Sequence, residues 1–162
     1  MTEKSKPGAS NILTNNTGKS FPCDTVEPEY EKTVREIFRR QAFINFIGAE
    51  ISCVLPGFCS LQLKYREELT RDPLCFHPGV IGSLAESAGL FAALTILPAD
   101  SSIATTEYKL NLLAPPKGNV LAVHAKVVKS GKTMTVCTSE IYARRDRYQD
   151  LCGMALMTFV SE

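Results

Sequence analysis

From Cys59 to Tyr65 the side chains Cys59, Leu61, Leu63 and Tyr65 alternate with Ser60, Gln62 and Lys64, the period of a strand with one wet face. A second period-2 stretch lies on the other side of Pro56-Gly57, so the two predict a hairpin that turns at that dipeptide. Farther along, Tyr108, Leu110 and Leu112 alternate with Glu107, Lys109 and Asn111 until Pro115-Pro116-Lys117-Gly118 breaks the run. Three more strands are predicted at roughly 120–128, 133–143 and 151–160, joined by a Ser130-Gly131 turn and by the charged region 144–146.

Two segments follow a different period. Between residues 30 and about 47, Val34, Ile37, Phe38, Ala42 and Ile44 recur at helical spacing after Pro28, whose missing N–H costs nothing at a helix start. From 78 to about 97 the chain is too long for a strand and carries small residues at Gly82, Ser83, Ala85, Ala88, Gly89, Ala92 and Ala93. A helix apolar on nearly every side belongs inside the protein. The predicted order is therefore helix, two strands, a buried helix and four strands. With no helices between the last strands a parallel sheet has no crossovers, so the sheet is antiparallel and must wrap the apolar helix. This is an α+β chain in the hotdog arrangement, with an additional N-terminal helix, spanning 28–162. Residues 1–27, rich in Ser, Thr, Asn, Gly and Lys, are expected to form a mobile tail. A sheet with an open edge and a helix only partly covered also predicts a homodimer.

Composition narrows the function. Eighteen basic and 17 acidic side chains leave a net charge of +1, so no broad field attracts nucleic acid or an anionic membrane. The apolar run from 80 to 97 is not expected to span a membrane, because Glu86 near its middle is costly in lipid and no basic cluster flanks it. Six cysteines make no CxxC pair and follow no apolar leader, which suggests reduced thiols in a cytoplasmic protein, with Cys53, Cys59, Cys137 and Cys152 facing the core. His77 and His124 are the two histidines, at no metal-ligand spacing, so no metal site is expected.

Glu86 is the residue that asks for a chemical explanation. A carboxylate in an apolar helix opposes its own ionisation unless partners compensate, and such groups are commonly functional. The alternative is that Glu86 bonds a buried backbone group or a basic side chain across a subunit contact. His77 precedes the helix, with Pro78 and Gly79 at its first positions. Free N–H groups at a helix start suit a carbonyl oxygen or an oxyanion, although a Pro-Gly start is also ordinary capping.

The run Phe76-His77-Pro78-Gly79-Val80-Ile81-Gly82-Ser83-Leu84-Ala85-Glu86-Ser87-Ala88 resembles the His-Gly-Gly motif of PaaI-like (phenylacetate-pathway-type) hotdog thioesterases, with an acidic residue at the family's offset from the histidine. The strand from Thr105 to Pro115 resembles a second family segment, and Val128-Lys129-Ser130-Gly131-Lys132-Thr133 is similar to the hairpin beside the coenzyme A arm. Together they cover about 35–160. The resemblance implies an acyl-CoA thioesterase that assembles as a homodimer or a dimer of dimers, a homotetramer, with active sites at a subunit interface. In it Glu86 acts as nucleophile or as general base on water, His77 and Gly79 form the helix-start site, and Thr105 holds the water. It further implies contacts to substrate or coenzyme A from Pro78, Ser83, Asn111, Ser130, Gly131, Lys132 and Thr133. Coenzyme A enters as part of the substrate and no other cofactor is expected.

Two departures stand out. Glu86 replaces the family's common Asp, and Pro78 occupies the position whose N–H polarises the carbonyl, so either Gly79 N–H substitutes or polarisation is weak. Arg71 stands where some relatives place a polar amide. Lys129 and Lys132, and less so Arg144, Arg145 and Arg147, are candidates to meet phosphates. The alternative function is a non-catalytic acyl-CoA or lipid-binding module. A hydratase ranks below it, because His77 and Glu86 do not reproduce that chemistry's spacing.

Overall fold

The computed structural model describes residues 28–73 and 75–161, together with a two-residue antiparallel pairing of Leu13–Thr14 with Ser20–Phe21. The expectation of a mobile tail over 1–27 otherwise falls outside the described residues. Two helices, α1 (Glu29–Arg40) and α2 (Ala42–Ile47), precede the hairpin β1 (Ala49–Leu55) and β2 (Phe58–Lys64). The long helix α3 (Pro78–Leu94) follows, and then β3 (Ile103–Leu112), β4 (Val120–Ser130), β5 (Met134–Arg145) and β6 (Tyr148–Ser161). The six strands form one antiparallel sheet in the order β1-β2-β4-β5-β6-β3.

The sheet curls around α3. Ile81, Leu84, Ala85, Ala88, Phe91, Ala92 and Ala93 of the helix are fully buried, as are Cys59 and Leu61 of β2, Leu121 and Val123 of β4, Cys137 and Ile141 of β5 and Met157 of β6. Small residues let the helix sit this close. A methyl group on Gly89 would lie 2.1 Å from Met157 Sδ, so the position admits no side chain without repacking. Ser139 of β5, itself fully buried, donates from Oγ to the carbonyl oxygen of Ala85 at 2.9 Å and pins the helix one residue before Glu86.

Three expectations are corrected. The N-terminal helix is broken: Gln41 leaves the helical region at φ −76°, ψ 91°, and Asn45 Nδ2 donates to the carbonyls of Phe38, Arg39 and Gln41 that the break exposes. Ala42, expected on the apolar face, is consequently exposed, while Ile44 and Ile47 turn inward. Ser60, expected on a wet face, is buried, because Ser52 and His124 cover it at 3.1 and 2.9 Å. The buried helix ends at Leu94 rather than 97, where Thr95 accepts the N–H of Gly57 on its Oγ1 at 2.6 Å and donates to Ala92 O. Cys53, Cys59, Cys137 and Cys152 do face the interior, and so does Cys75.

Candidate active site

His77 leads into α3 from a short ladder of Thr70–Asp72 with Cys75–Phe76 that the sequence pattern does not announce. Phe76 N–H donates to Pro116 O at 3.1 Å and His77 N–H to Leu69 O at 2.9 Å, so the helix start is moored on both sides. Pro78 takes the first helical position, where its fixed φ fits and its lack of an N–H is harmless. His77 is the N-cap: its Nδ1 accepts the N–H of Gly79 at 3.0 Å. The one donor available to replace Pro78 is therefore held by the imidazole.

Two turns along the helix the side chains are less exposed than His77 and Gly79. Gly79, Ser83 and Glu86 follow one another at i, i+4 and i+7, on one face of α3. Ser83 Oγ donates back to Gly79 O at 2.9 Å. Glu86 is half-buried, and among the described residues it forms no ion pair. Thr105 of β3 donates from Oγ1 to Glu86 Oε1 at 2.5 Å, and Ser87 donates from Oγ to Oε2 at 3.3 Å. Each carboxylate oxygen thus has one hydroxyl donor and keeps lone pairs free, the arrangement of a carboxylate oriented yet able to accept a proton.

These groups line a cleft of about 610 Å³ bounded by Gln41, Phe43 and Ile44 of α2, by Ser83, Glu86 and Ser87 of α3, and by the stretch of β3 from Thr105 to Tyr108. Among the described residues, no lysine, arginine or histidine is in the lining. Tyr108 Oη lies 3.3 Å from where a methyl on Gly82 would stand, so its ring rests directly on the helix.

The remaining candidates are placed at varying distances from the carboxylate. Thr135 pairs with Phe159, and Phe159 with Thr105, so the Ser130, Gly131, Lys132, Thr133 hairpin stands at the same end of the sheet as Thr105, about 10 Å away across two strand spacings. Gly131 and Lys132 are exposed there. Asn111 is not brought in: it lies six residues along β3, roughly 20 Å away, and Tyr108 and Leu110 face α3, which turns Asn111 outward. Arg144, Arg145 and Arg147 sit at the opposite end of β5, roughly 40 Å from Lys132, and Arg144 Nε donates to Gln149 Oε1 at 2.8 Å. Arg71 pairs with Asp72 in solvent. Burial pushes the thiols of Cys59, Cys137 and Cys152 up, the last two to about 12 and about 11, which keeps them protonated and poor nucleophiles.

Seven lining residues were not among the predicted site residues: Gln41, Phe43, Ile44, Ser87, and Thr106, Glu107 and Tyr108, which follow Thr105 in the strand that carries the resemblance. Ser87 was within reach of sequence reasoning, since Ser83 and Ser87 are i and i+4 around Glu86. Gln41, Phe43 and Ile44 were not, because their approach to α3 depends on the break at Gln41.

A six-stranded antiparallel sheet curled around one apolar helix, with a hydroxyl-held carboxylate opening into a cleft on that helix, defines a hotdog-fold protein built for acyl-thioester chemistry. The chain belongs to the thioesterase superfamily, whose family model matches residues 75–148. A Saccharolobus solfataricus relative whose name proposes an esterase is 32% identical over 127 residues, covering 78% of this chain and 82% of the relative. Among solved structures, a thioesterase family protein from Silicibacter pomeroyi is 33% identical with a TM-score of 0.79, over 82% of this chain and 97% of that one. The E. coli PaaI protein from the phenylacetic acid degradation operon shares the fold at 17% identity and a TM-score of 0.74, over 85% and 96% of the two chains.

Proposed function

We propose that the chain is an acyl-CoA thioesterase in which Glu86 is the general base. In this reading the carboxylate takes a proton from a water as its oxygen attacks the thioester carbonyl carbon. The tetrahedral intermediate then collapses, the C–S bond breaks, and the departing thiolate of coenzyme A takes up the proton. Thr105 and Ser87 keep the carboxylate aimed, and a thioester is activated enough for one base and weak carbonyl polarisation to suffice. The observation that carries the proposal is the half-buried Glu86 carboxylate, held by Thr105 at 2.5 Å and lining an open cleft. The relative with an esterase name points the same way.

Coenzyme A enters as part of the substrate. Its arm is assigned to the Ser130 to Thr133 hairpin, where Lys129 and Lys132 of the matched segment are exposed cations. Thr105 sits on β3, which among the described residues has a neighbour, β6, on one side only, so a second copy pairing along that edge would close over the cleft. The proposed assembly is a homodimer, with a dimer of dimers as its further step, in the cytoplasm.

The second reading, an acyl-CoA-binding module without turnover, is favoured by one specific observation: Pro78 has no N–H and the Gly79 N–H is taken by His77 Nδ1. Loss of such a donor costs about 2.7–4 kcal/mol of transition-state stabilisation in enzymes that depend on it. Thiol release from a panel of acyl-CoAs separates the two readings. Hydrolysis by the wild type, with a loss of at least about 10²-fold in Glu86→Ala at unchanged mass by light scattering, supports the enzyme. Tight binding by calorimetry without any thiol release supports the module, and equal rates for Glu86→Ala and wild type remove Glu86 from the chemistry.

A further inference from the structure

The thioesterase reading requires an acyl group to lie beside Glu86, and one large side chain in that cleft has no evident task in holding the fold together. Helix α2 is six residues long and is anchored by Ile44 and Ile47, both buried. Phe43, between Gln41 and Ile44 in the cleft lining, is 55% exposed. The core does not need this ring, and an exposed phenylalanine inside a cleft is available to a ligand. Its position is nevertheless well fixed. The break at Gln41 sets the direction of α2, and Asn45 Nδ2 ties the turn to three carbonyls at 2.7–3.2 Å.

A second aromatic wall stands on the other flank. Tyr108 of β3 rests on α3 at Gly82, whose missing side chain, with the short Ser83 and Ser87, leaves the strip of helix between the two rings low. Glu86 opens onto the same strip. An acyl group whose carbonyl reaches Glu86 must therefore lie between the side chains of α2 and those of β3.

We propose that Phe43 is the specificity-determining residue that sets the upper size of the acyl group, admitting compact acyl chains to Glu86 and obstructing long ones. The inference rests on the thioesterase reading. It assigns Phe43 a role in selection by size, a step separate from the proton transfer at Glu86.

The test measures thiol release by the full chain and by Phe43→Ala and Phe43→Leu with acetyl-, butanoyl-, hexanoyl-, octanoyl- and dodecanoyl-CoA, alongside light-scattering mass. For the wild type, kcat/KM passes an optimum and then falls at least about tenfold towards dodecanoyl-CoA. In Phe43→Ala the ratio of dodecanoyl to butanoyl kcat/KM rises at least about tenfold, the discrimination that small changes of apolar pocket volume produce, and Phe43→Leu falls between. Mass stays unchanged. An unaltered ratio in both variants overturns the proposal, and so does an altered mass with an unaltered ratio, which would make Phe43 a subunit contact. Absence of thiol release by the wild type from every thioester sinks the hydrolase reading and this inference together. A working wild type whose chain-length profile ignores Phe43 sinks the inference alone.

Discussion

Glu86 was legible because a charge interrupts an otherwise apolar run, and a charge there needs a reason. Its partners were not equally legible. Ser87 is adjacent in sequence, but the contact with Thr105, 19 residues away, exists only because β3 lies beside α3 with Thr105 facing it. Gly79 illustrates the opposite case. Its N–H could be nominated from the Pro-Gly helix start, yet whether it is free depends on a side-chain rotamer, and His77 turns its Nδ1 onto it. The hydroxyl of Thr105 orients the carboxylate without filling any space a methyl could not fill. Replacement by Val keeps the shape and removes the bond, so Thr105→Val is expected to lower kcat about 10–100-fold with KM changed less than threefold, as for an interaction that matters in the transition state. Steady-state kinetics on the best acyl-CoA, with a circular dichroism spectrum to establish folding, check this. A kcat within twofold of wild type would leave Glu86 aimed by other means.

At the scale of elements, period alone located every strand of the main sheet and the buried helix, because each had to present one face to a single core. Boundaries moved by one to three residues where pairing partners extended a strand: β4 reaches Ser130 and β6 begins at Tyr148, both held by β5. The break at Gln41 escaped the pattern because it is decided by the Asn45 carboxamide serving three carbonyls, a tertiary-like contact within a local segment. The short ladder before His77 escaped it too, being only three and two residues long. The small residues of α3 were read correctly as a lining, and their function is now quantitative at Gly89. With Met157 fully buried and its Sδ 2.1 Å from a prospective Cβ, Gly89→Ala must push the helix off β6 or drive Met157 from its rotamer. Overpacking of this kind is expected to cost about 1–3 kcal/mol despite the better helix propensity of alanine, which returns about 1 kcal/mol at most in an unhindered site. Urea denaturation measures the difference. A variant as stable as wild type would mean that the helix and β6 are less closely applied than described. Because Glu86 lies three residues earlier on the same helix, such a shift would also register in kcat.

For the whole molecule, the sheet has a second face with a polar cluster that sequence reasoning missed, because His124 alternates with apolar neighbours as a solvent-facing side chain would. It is instead covered. Phe58 stacks on its ring at 6.2 Å, Tyr142 tilts against it at 5.4 Å, and Ser60 Oγ lies 2.9 Å from its Nδ1. Burial foremost, and the positive charge of Arg144 next, push its pKa down to about 4, with Glu140 opposing. The unfolded chain, whose histidine titrates near 6.5, therefore binds a proton between pH 6.5 and 4 that the folded chain refuses. Stability from this source is complete above pH 6.5 and declines as the pH falls towards 4, each unit being worth about 1.4 kcal/mol. Comparing pH 7.5 with pH 5, the wild type is expected to lose about 2 kcal/mol more than His124→Gln, which has nothing to protonate at that site. Urea titrations of both proteins at the two pH values isolate the term, because carboxylates elsewhere contribute equally to each. Parallel losses in the two proteins would show that His124 accepts its proton in the folded sheet, and the covering of this outer face would then be far looser than the 2.9 Å contact with Ser60 implies.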